Sequence, residues 1–294
     1  MEVAAPQPGP GEVLIRLHAA GVNPFDWKVA EGVLKDVIPH AFPLVLGNDG
    51  AGVIEQVGAG VSDYQPGDHV YGQFMDLERG HGTYAEYTIA AADGKIARIP
   101  LELPFTAAAA LPTASITAYQ AIRMAGLQSG QTILINGATG GVGQFAVQFA
   151  AQAGARVLAT ATPALSDHIL GLGASEVIDF TSRAVSEYPR NVDVVLDLVH
   201  TPGGDIDKLA EVLRPGGTLL NTNHAAGSLI RQDIRGVNVT NHATTEELTL
   251  LAELTATGKL QVTVGASFAL ADAPAGIAEA KSGNAYGKTV VTIA

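Results

Sequence analysis

Seven residues carry the clearest chemical signal in this chain: Gly137-Ala138-Thr139-Gly140-Gly141-Val142-Gly143. They spell G-x-x-G-x-x-G, after the apolar run that starts at Ile133 and before an alanine-rich amphipathic stretch that reaches Ala150. Glycine at such places lets the backbone turn tightly and lets a diphosphate approach main-chain N–H groups without meeting a Cβ. A helix that follows presents its first amides and the positive end of its dipole to the anion. In a chain with 34 glycines the same string can be a plain structural turn. Its position after a strand-like run, before a helix-like run and at the head of an alternating region selects dinucleotide binding.

The end of the next strand bears on which dinucleotide. In units of this kind an Asp or Glu there accepts the ribose hydroxyls of NAD and repels a 2′-phosphate. Counting on from Gly143 reaches Thr160, Ala161 and Thr162, with no acid among them. Small hydroxyl residues suit a phosphate, so the spacing favours NADPH over NADH, although Thr160 and Thr162 read equally well as ordinary strand-end threonines.

The elements that must hold such a loop are written in the rest of the sequence. Its 294 residues exceed the comfortable size of one hydrophobic core, and 47% hydrophobic with 16% charged residues describes a packed globule rather than a disordered chain. A net charge of -12 opposes binding to nucleic acid or to an anionic membrane surface. The absence of cysteine removes disulfides, thiolate zinc sites and thiol nucleophiles together. The longest apolar stretches fall short of the ~20 residues that a membrane span needs, and the N-terminal residues lack the pattern of a targeting signal, so the expected location is the cytoplasm.

Residues 1–112 read as short β runs separated by Gly, Pro and Asp turns. From Thr113 the texture changes to alternating helix-like and strand-like segments, among them "TASITAYQAIRMAG", "QTILIN", "ARVLAT", "EVIDF", "VDVVLDLV", "GDIDKLAEVLRPGG" and "TEELTLLAELTATGK". Such alternation predicts βαβ units and a doubly wound parallel sheet over 113–260. The last segment, 261–294, returns to β structure with one short helix around "DAPAGIAEAKSG". The fold class is therefore α/β, with a parallel-sheet segment between two β-rich ones.

Taken together, "AAGVNPFDWKV", "PLVLGNDGAGVIEQVGAGV", "PGDHVYG", "GTYAEY", "AAALPTASITAYQAI", "GQTILINGATGGVG", "LRPGGTLL" and "GKTVVTIA" resemble the zinc-independent, zeta-crystallin-like quinone oxidoreductases of the medium-chain dehydrogenase/reductase superfamily. The resemblance covers nearly the whole chain. It implies a GroES-like catalytic domain built from 1–112 and 261–294, a Rossmann domain between them, an active cleft at their junction and a homodimer formed by sheet extension. It also places Asn23, Asp26 and Thr117 near nicotinamide and substrate. Asn136, Ala138, Gly140, Gly141 and Val142 fall at the pyrophosphate, and Val199 and Phe268 near the nicotinamide ring; Thr139 and Gly143 of the same loop, with Thr160, Thr162 and Phe180, complete the cofactor-binding set. Asn23 and Asp26 also read as an Asx-type turn around Pro24.

Zinc-dependent relatives carry a Cys at the first motif and Gly-His-Glu at the second, where this chain has Asn23 and Gly47-Asn48-Asp49. No catalytic metal is expected, and His40, His69 and His81 lack a spaced set of partner ligands. The implied reaction is hydride transfer from NADPH to a quinone or an α,β-unsaturated carbonyl whose oxygen is polarised by hydrogen-bond donors. An enoyl reductase of secondary metabolism and a low-turnover, crystallin-like NADPH-binding protein are the alternatives. The chain departs from the family at Ala164, where relatives have a basic residue, at Phe180, where they have tyrosine, and in "EGVLKDVIP", where a tyrosine is missing and Lys28 or water is left to supply a proton. It also starts where relatives already have a strand or two, which suggests a truncation and an exposed sheet edge.

Overall fold

A computed structural model describes residues 2–283 and 285–293. They divide into two compact units, residues 1–116 with 243–294, and 117–242.

The first unit opens with β1 (Glu12–Gly21), α1 (Pro24–Ala30), β2 (Asp49–Val57), β3 (His69–Gln73), β4 (Tyr87–Ala91), β5 (Ile96–Arg98) and α2 (Phe105–Ala109), followed by α3 (Pro112–Ala125), which runs on into the second unit. It closes with α7 (Thr245–Ala256), β12 (Val264–Ala269), α8 (Ala273–Lys281) and β13 (Lys288–Thr292). Its sheet runs β12-β13-β1-β2-β3-β5, with β4 also paired to β1. Inward-facing Val13, Ile15, Leu17, Ile54, Val70 and Val291 form its core. β1 pairs with β2 from Val13 to Gly21 across two register shifts, with β4 at its start and with β13 at its end. The carboxyl end of β1 and the start of β2 thus meet the start of β13, where Gly21 faces both Asp49 and Val290.

The second unit contains β6 (Thr132–Asn136), α4 (Gly141–Gln152), β7 (Arg156–Ala161), α5 (Ser166–Gly171), β8 (Glu176–Asp179), β9 (Val192–Asp197), α6 (Ile206–Ala210), β10 (Leu213–Asn221) and β11 (Arg235–Asn238). All pairs are parallel, in the order β11-β10-β9-β6-β7-β8. Renumbered from β6 this is the 3-2-1-4-5-6 order of the dinucleotide-binding fold, whose direction of winding reverses between its first and fourth strands. Those strands are β6 and β9. Leu134, Leu158, Ile178, Val195 and Leu219 fill the core under the sheet, and the strands read as near-continuous apolar runs because both faces are covered.

Three features differ from the sequence reading. The segment "GDIDKLAEVLRPGG" holds a helix only over Ile206–Ala210, and β10 begins at Leu213. Pro215-Gly216-Gly217 lies within that strand at a register shift, with Gly216 at φ +74°, so the turn signal marks an irregularity in a strand rather than a helix end. Strand β11 carried no apolar alternation strong enough to be read; its residues are mostly exposed and it lies at the sheet edge. Helix α7 belongs to the first unit, not to the alternating region. Thr245 Oγ1 on this helix donates to Gly94 O, and Leu248 O accepts from the Tyr71 hydroxyl of β3.

Candidate functional site

In the second unit the glycine string forms the β6-to-α4 turn at the carboxyl end of the sheet. Gly137 has φ +89°, a conformation that a side chain rarely tolerates, and a Cβ there would lie 3.0 Å from Val199 Cγ2. At Gly143 the constraint is close packing: a Cβ would stand 2.3 Å from Gly137 O and 2.6 Å from Ala138 Cα. The first turn of α4 is thereby seated directly against the loop. Gly140 is its N-cap, and the N–H groups of Gly141, Val142 and Gly143 are at the helix start, where no preceding turn supplies an acceptor. Ala138 is fully buried, while Thr139, Gly140, Gly141 and Val142 are half-buried.

The loop is braced from three strands. Thr160, near the end of β7, accepts from Gly137 N at 2.9 Å and donates to Asn136 Oδ1 at 3.2 Å, so its hydroxyl shapes the turn. Asn136 Nδ2 donates in turn to Asp197 Oδ1 at 2.9 Å, across the β6–β9 switch. Asp197, with no exposed surface, also accepts from Asn221 Nδ2 of β10 at 2.8 Å and from His200 Nδ1 at 3.1 Å. Burial alone would raise this carboxyl, but the His200, Asn136 and Asn221 donors outweigh it and hold Asp197 below the ordinary range. The other residues assigned around the ribose and the ring are less enclosed. Thr162 is half-buried at the N-cap of a short 3-10 turn, Phe180 is 50% exposed just beyond β8, and Val199 is 56% exposed beyond β9. Thr117, on α3, accepts from Asn241 Nδ2 at 3.1 Å.

The first unit brings Asn23 and Asp26 together in a buried polar cluster. Asn23 caps α1 in an extended conformation with Pro24 in the first turn, and its N–H donates to Asp26 Oδ2 at 2.8 Å. Asp26 also accepts from Tyr84 OH at 2.8 Å and from Asn48 N at 3.0 Å. Both readings of the Asn-Pro-x-Asp motif thus meet: it makes a helix-start turn, and it holds a buried carboxyl. Beside it Asp49, fully buried at the start of β2, accepts from Thr113 Oγ1 at 2.6 Å, Thr113 N at 3.0 Å and Asn48 Nδ2 at 3.2 Å. Lys288, first residue of β13, donates to Asn23 Oδ1 at 2.6 Å and Val22 O at 2.8 Å, with its ammonium 4.0 Å from Asp49 Oδ2.

Burial dominates this cluster. It pushes Asp26 up to about 7 despite three donors, with the Asp49 carboxylate adding to the rise. It likewise raises Asp49 and lowers Lys288, each opposed by the other's charge. Phe268 lies on β12 in the same unit, its ring packed against Gly276 of α8.

Asp197, His200, Asn221 and Lys288 were not singled out from sequence. A polar residue closing the apolar run "VDVVLD" was the available signal for Asp197. Lys288 gave none, because a lysine opening a terminal strand is usually solvated.

A model of the alcohol dehydrogenase GroES-like domain matches residues 9–101, and a model named zinc-binding dehydrogenase matches residues 172–291. The chain is 34% identical over 310 residues to the chloroplastic quinone-oxidoreductase QR1 of Triphysaria versicolor, covering 99% of this chain and 92% of that protein. It is 37% identical over 224 residues to the 2-methylene-furan-3-one reductase of Solanum lycopersicum, covering 74% of this chain and 56% of that protein. Among solved structures, the quinone oxidoreductase from Coxiella burnetii superposes with a TM-score of 0.90 at 30% identity, covering 99% of this chain and 93% of that one.

The name of the second model raises the question of zinc. At the two motifs where zinc-dependent relatives have ligands, the donors are Asn23, Asn48 and Asp49, with neither sulfur nor imidazole. Asp49 is already occupied by Thr113 and Asn48, and the Lys288 amine stands 4.0 Å from it. These residues do not fit a catalytic zinc ion.

Proposed function

Since this chain belongs to the quinone oxidoreductase branch of the medium-chain dehydrogenase/reductase superfamily, we propose that it transfers hydride from NADPH to a quinone or an α,β-unsaturated carbonyl. The observation that carries the reading is the glycine turn at the β6–β9 switch, with the first amides of α4 unpaired by the helix and a three-strand brace beneath. A bound dinucleotide supplies the hydride. The residues of this chain hold its diphosphate on the main-chain N–H groups of Gly141, Val142 and Gly143, next to the N-cap Gly140, and shape that turn through Thr160 and Asn136. NADPH is favoured over NADH because β7 ends in Thr160, Ala161 and Thr162 without an acid. The relatives with quinone and furanone names support conjugated acceptors, in which the incoming charge is delocalised.

Asn23 and Asp26 in the first unit and Thr117 in the second are the groups proposed to serve nicotinamide and substrate, with Thr162, Phe180, Val199 and Phe268 as the further residues assigned to the cofactor. The same reading takes a homodimer acting in the cytoplasm. Among the described residues no helix is long and apolar enough to cross a membrane. The test is to mix the purified protein with NADPH or NADH and a panel of quinones and enones, and to follow the nicotinamide absorbance. Oxidation of NADPH by at least one conjugated acceptor, faster than of NADH, is expected. Folded protein that consumes neither cofactor across the panel would overturn the reading.

A further inference from the structure

His200 stands three residues past the end of β9, beside the glycine turn, and is held on both sides. Its Nδ1 lies 3.1 Å from Asp197 Oδ1, its N–H donates to the same oxygen at 3.4 Å, and its carbonyl accepts from Asn221 Nδ2 at 3.0 Å. With Nδ1 turned to a carboxylate, the proton sits on Nδ1 in the neutral ring, and Nε2 is the nitrogen left for an outside partner. The ring is neither sealed nor loose: its side chain is 24% exposed over an Asp197 that is wholly buried. The preceding residue, Val199, lies against the space above Gly137, which puts this segment at the crevice where the sheet reverses its winding.

Charge sharpens the point. From Gly137 to Ser182 the sequence has no lysine and a single arginine, Arg156. Arg156 opens β7, so it lies at the amino end of the sheet, paired with Glu176. The turn, the start of α4 and the end of β7 therefore supply main-chain dipoles but no fixed cation for a dinucleotide that carries a doubly charged diphosphate.

We propose that His200 is a cofactor-binding residue whose Nε2 donates a hydrogen bond to an oxygen of the bound dinucleotide, in the diphosphate or in the adjoining ribose, and that Asp197 is its positioning residue. This rests on the dinucleotide reading given above. The Asp197 hydrogen bond raises the imidazole above its ordinary value against desolvation, and the Asp205 carboxylate, which precedes α6, adds to the rise. Asp205 is itself paired with Lys208. The remaining groups bonded to the Asp197 carboxyl, Asn136 on β6, Asn221 on β10 and the Val199 N–H, are uncharged. Below its titration point the ring is a cation with Nε2–H as donor; above it, Nε2 is a bare acceptor that can no longer donate to a diphosphate oxygen.

The test is calorimetric titration of the full chain with NADP+, ADP-ribose and ADP between about pH 6 and about pH 8.5, for the unsubstituted protein and for His200→Phe, His200→Gln and Asp197→Asn. ADP-ribose lacks the 2′-phosphate and so reports without that group's own titration. The unsubstituted protein is expected to bind ADP-ribose roughly tenfold more tightly at the acid end, from a charge-assisted bond. His200→Phe loses that tenfold, His200→Gln keeps part of the affinity with no pH dependence, and Asp197→Asn shifts the midpoint downward. A step with ADP that His200→Phe removes, beyond the step its own terminal phosphate leaves in that variant, places the contact on the diphosphate or the adenosine ribose; a step with ADP-ribose and NADP+ alone places it on the second ribose. A folded His200→Phe protein that binds all three as the unsubstituted chain does, at every pH, overturns the assignment and leaves the dinucleotide reading standing. Failure of the unsubstituted protein to bind any of the three overturns both.

Discussion

Asp197 in the parallel-sheet unit and Asp26 in the antiparallel-sheet unit are both fully buried, yet Asp197 is held below the ordinary carboxylate range while Asp26 is lifted to about 7. Each accepts at least three hydrogen bonds, so the number of donors does not separate them. The neighbours do. Asp197 faces two asparagine amides and an imidazole whose pKa it raises. Asp26 shares its surroundings with a second buried carboxylate, Asp49, and the ammonium of Lys288 serves both. A buried anion with a private set of donors is a rigid support for a binding loop. A pair of buried carboxylates with one cation keeps a protonation equilibrium near neutral pH, which is the property an acid-base site requires.

The largest effect expected is on the loop that Asp197 supports. Gly143→Val places side-chain atoms where a Cβ alone would already be 2.3 Å from Gly137 O, and only backbone can yield. Dinucleotide affinity should fall by more than roughly 100-fold, with about 3 kcal/mol of stability lost, read by calorimetry and urea unfolding. Unchanged affinity would mean the turn is no ligand site.

In the other cluster, Lys288→Met leaves Asp26 and Asp49 without their buried cation and should cost about 3–5 kcal/mol of unfolding free energy. A loss within experimental error would show that water already reaches these groups.

Asp26→Asn tests the protonation equilibrium. Because its folded pKa is raised from 3.8 to about 7, the unsubstituted protein binds the proton more tightly when folded. The associated stability is fully present below the unfolded value and is lost as pH rises from about 4 to about 7, by up to about 4 kcal/mol at ~1.4 kcal/mol per unit. The Asp26→Asn protein should show a flatter stability profile across that window. Equal slopes would remove Asp26 as the titrating group.

Asp197 carries the opposite sign. Its pKa is lowered, so its stabilisation is present above the ordinary carboxylate value and disappears as pH falls through the folded one. Asp197→Asn should therefore cost about 1–3 kcal/mol at neutral pH, with the gap to the unsubstituted protein closing below about pH 4. A gap that persists unchanged in acid would assign the loss to packing instead.

The two regions were unequally legible in the sequence. The glycine turn could be read because its requirement is local: Gly137 needs a left-handed backbone and Gly143 needs room beside residues five and six positions back. The parallel sheet could be read because strands covered on both faces become continuous apolar runs, whereas edge strand β11, mostly exposed, had no such pattern. The polar networks could not be read in full. Asn136 and Asp197 stand 61 positions apart and Asn23 and Lys288 stand 265 apart, so their pairing depends on sheet order rather than on neighbouring residues. Thr160 shows the limit in between: its place at the end of β7 was found by counting, but its hydroxyl turned out to shape the loop through Gly137 and Asn136.

The central claim is that the amides at the start of α4 hold a diphosphate. A crystal structure of the chain grown with NADP+ tests it most directly. The account predicts diphosphate oxygens within about 3 Å of main-chain nitrogens between Gly140 and Gly143. A dinucleotide bound elsewhere, with that turn left free, would contradict it.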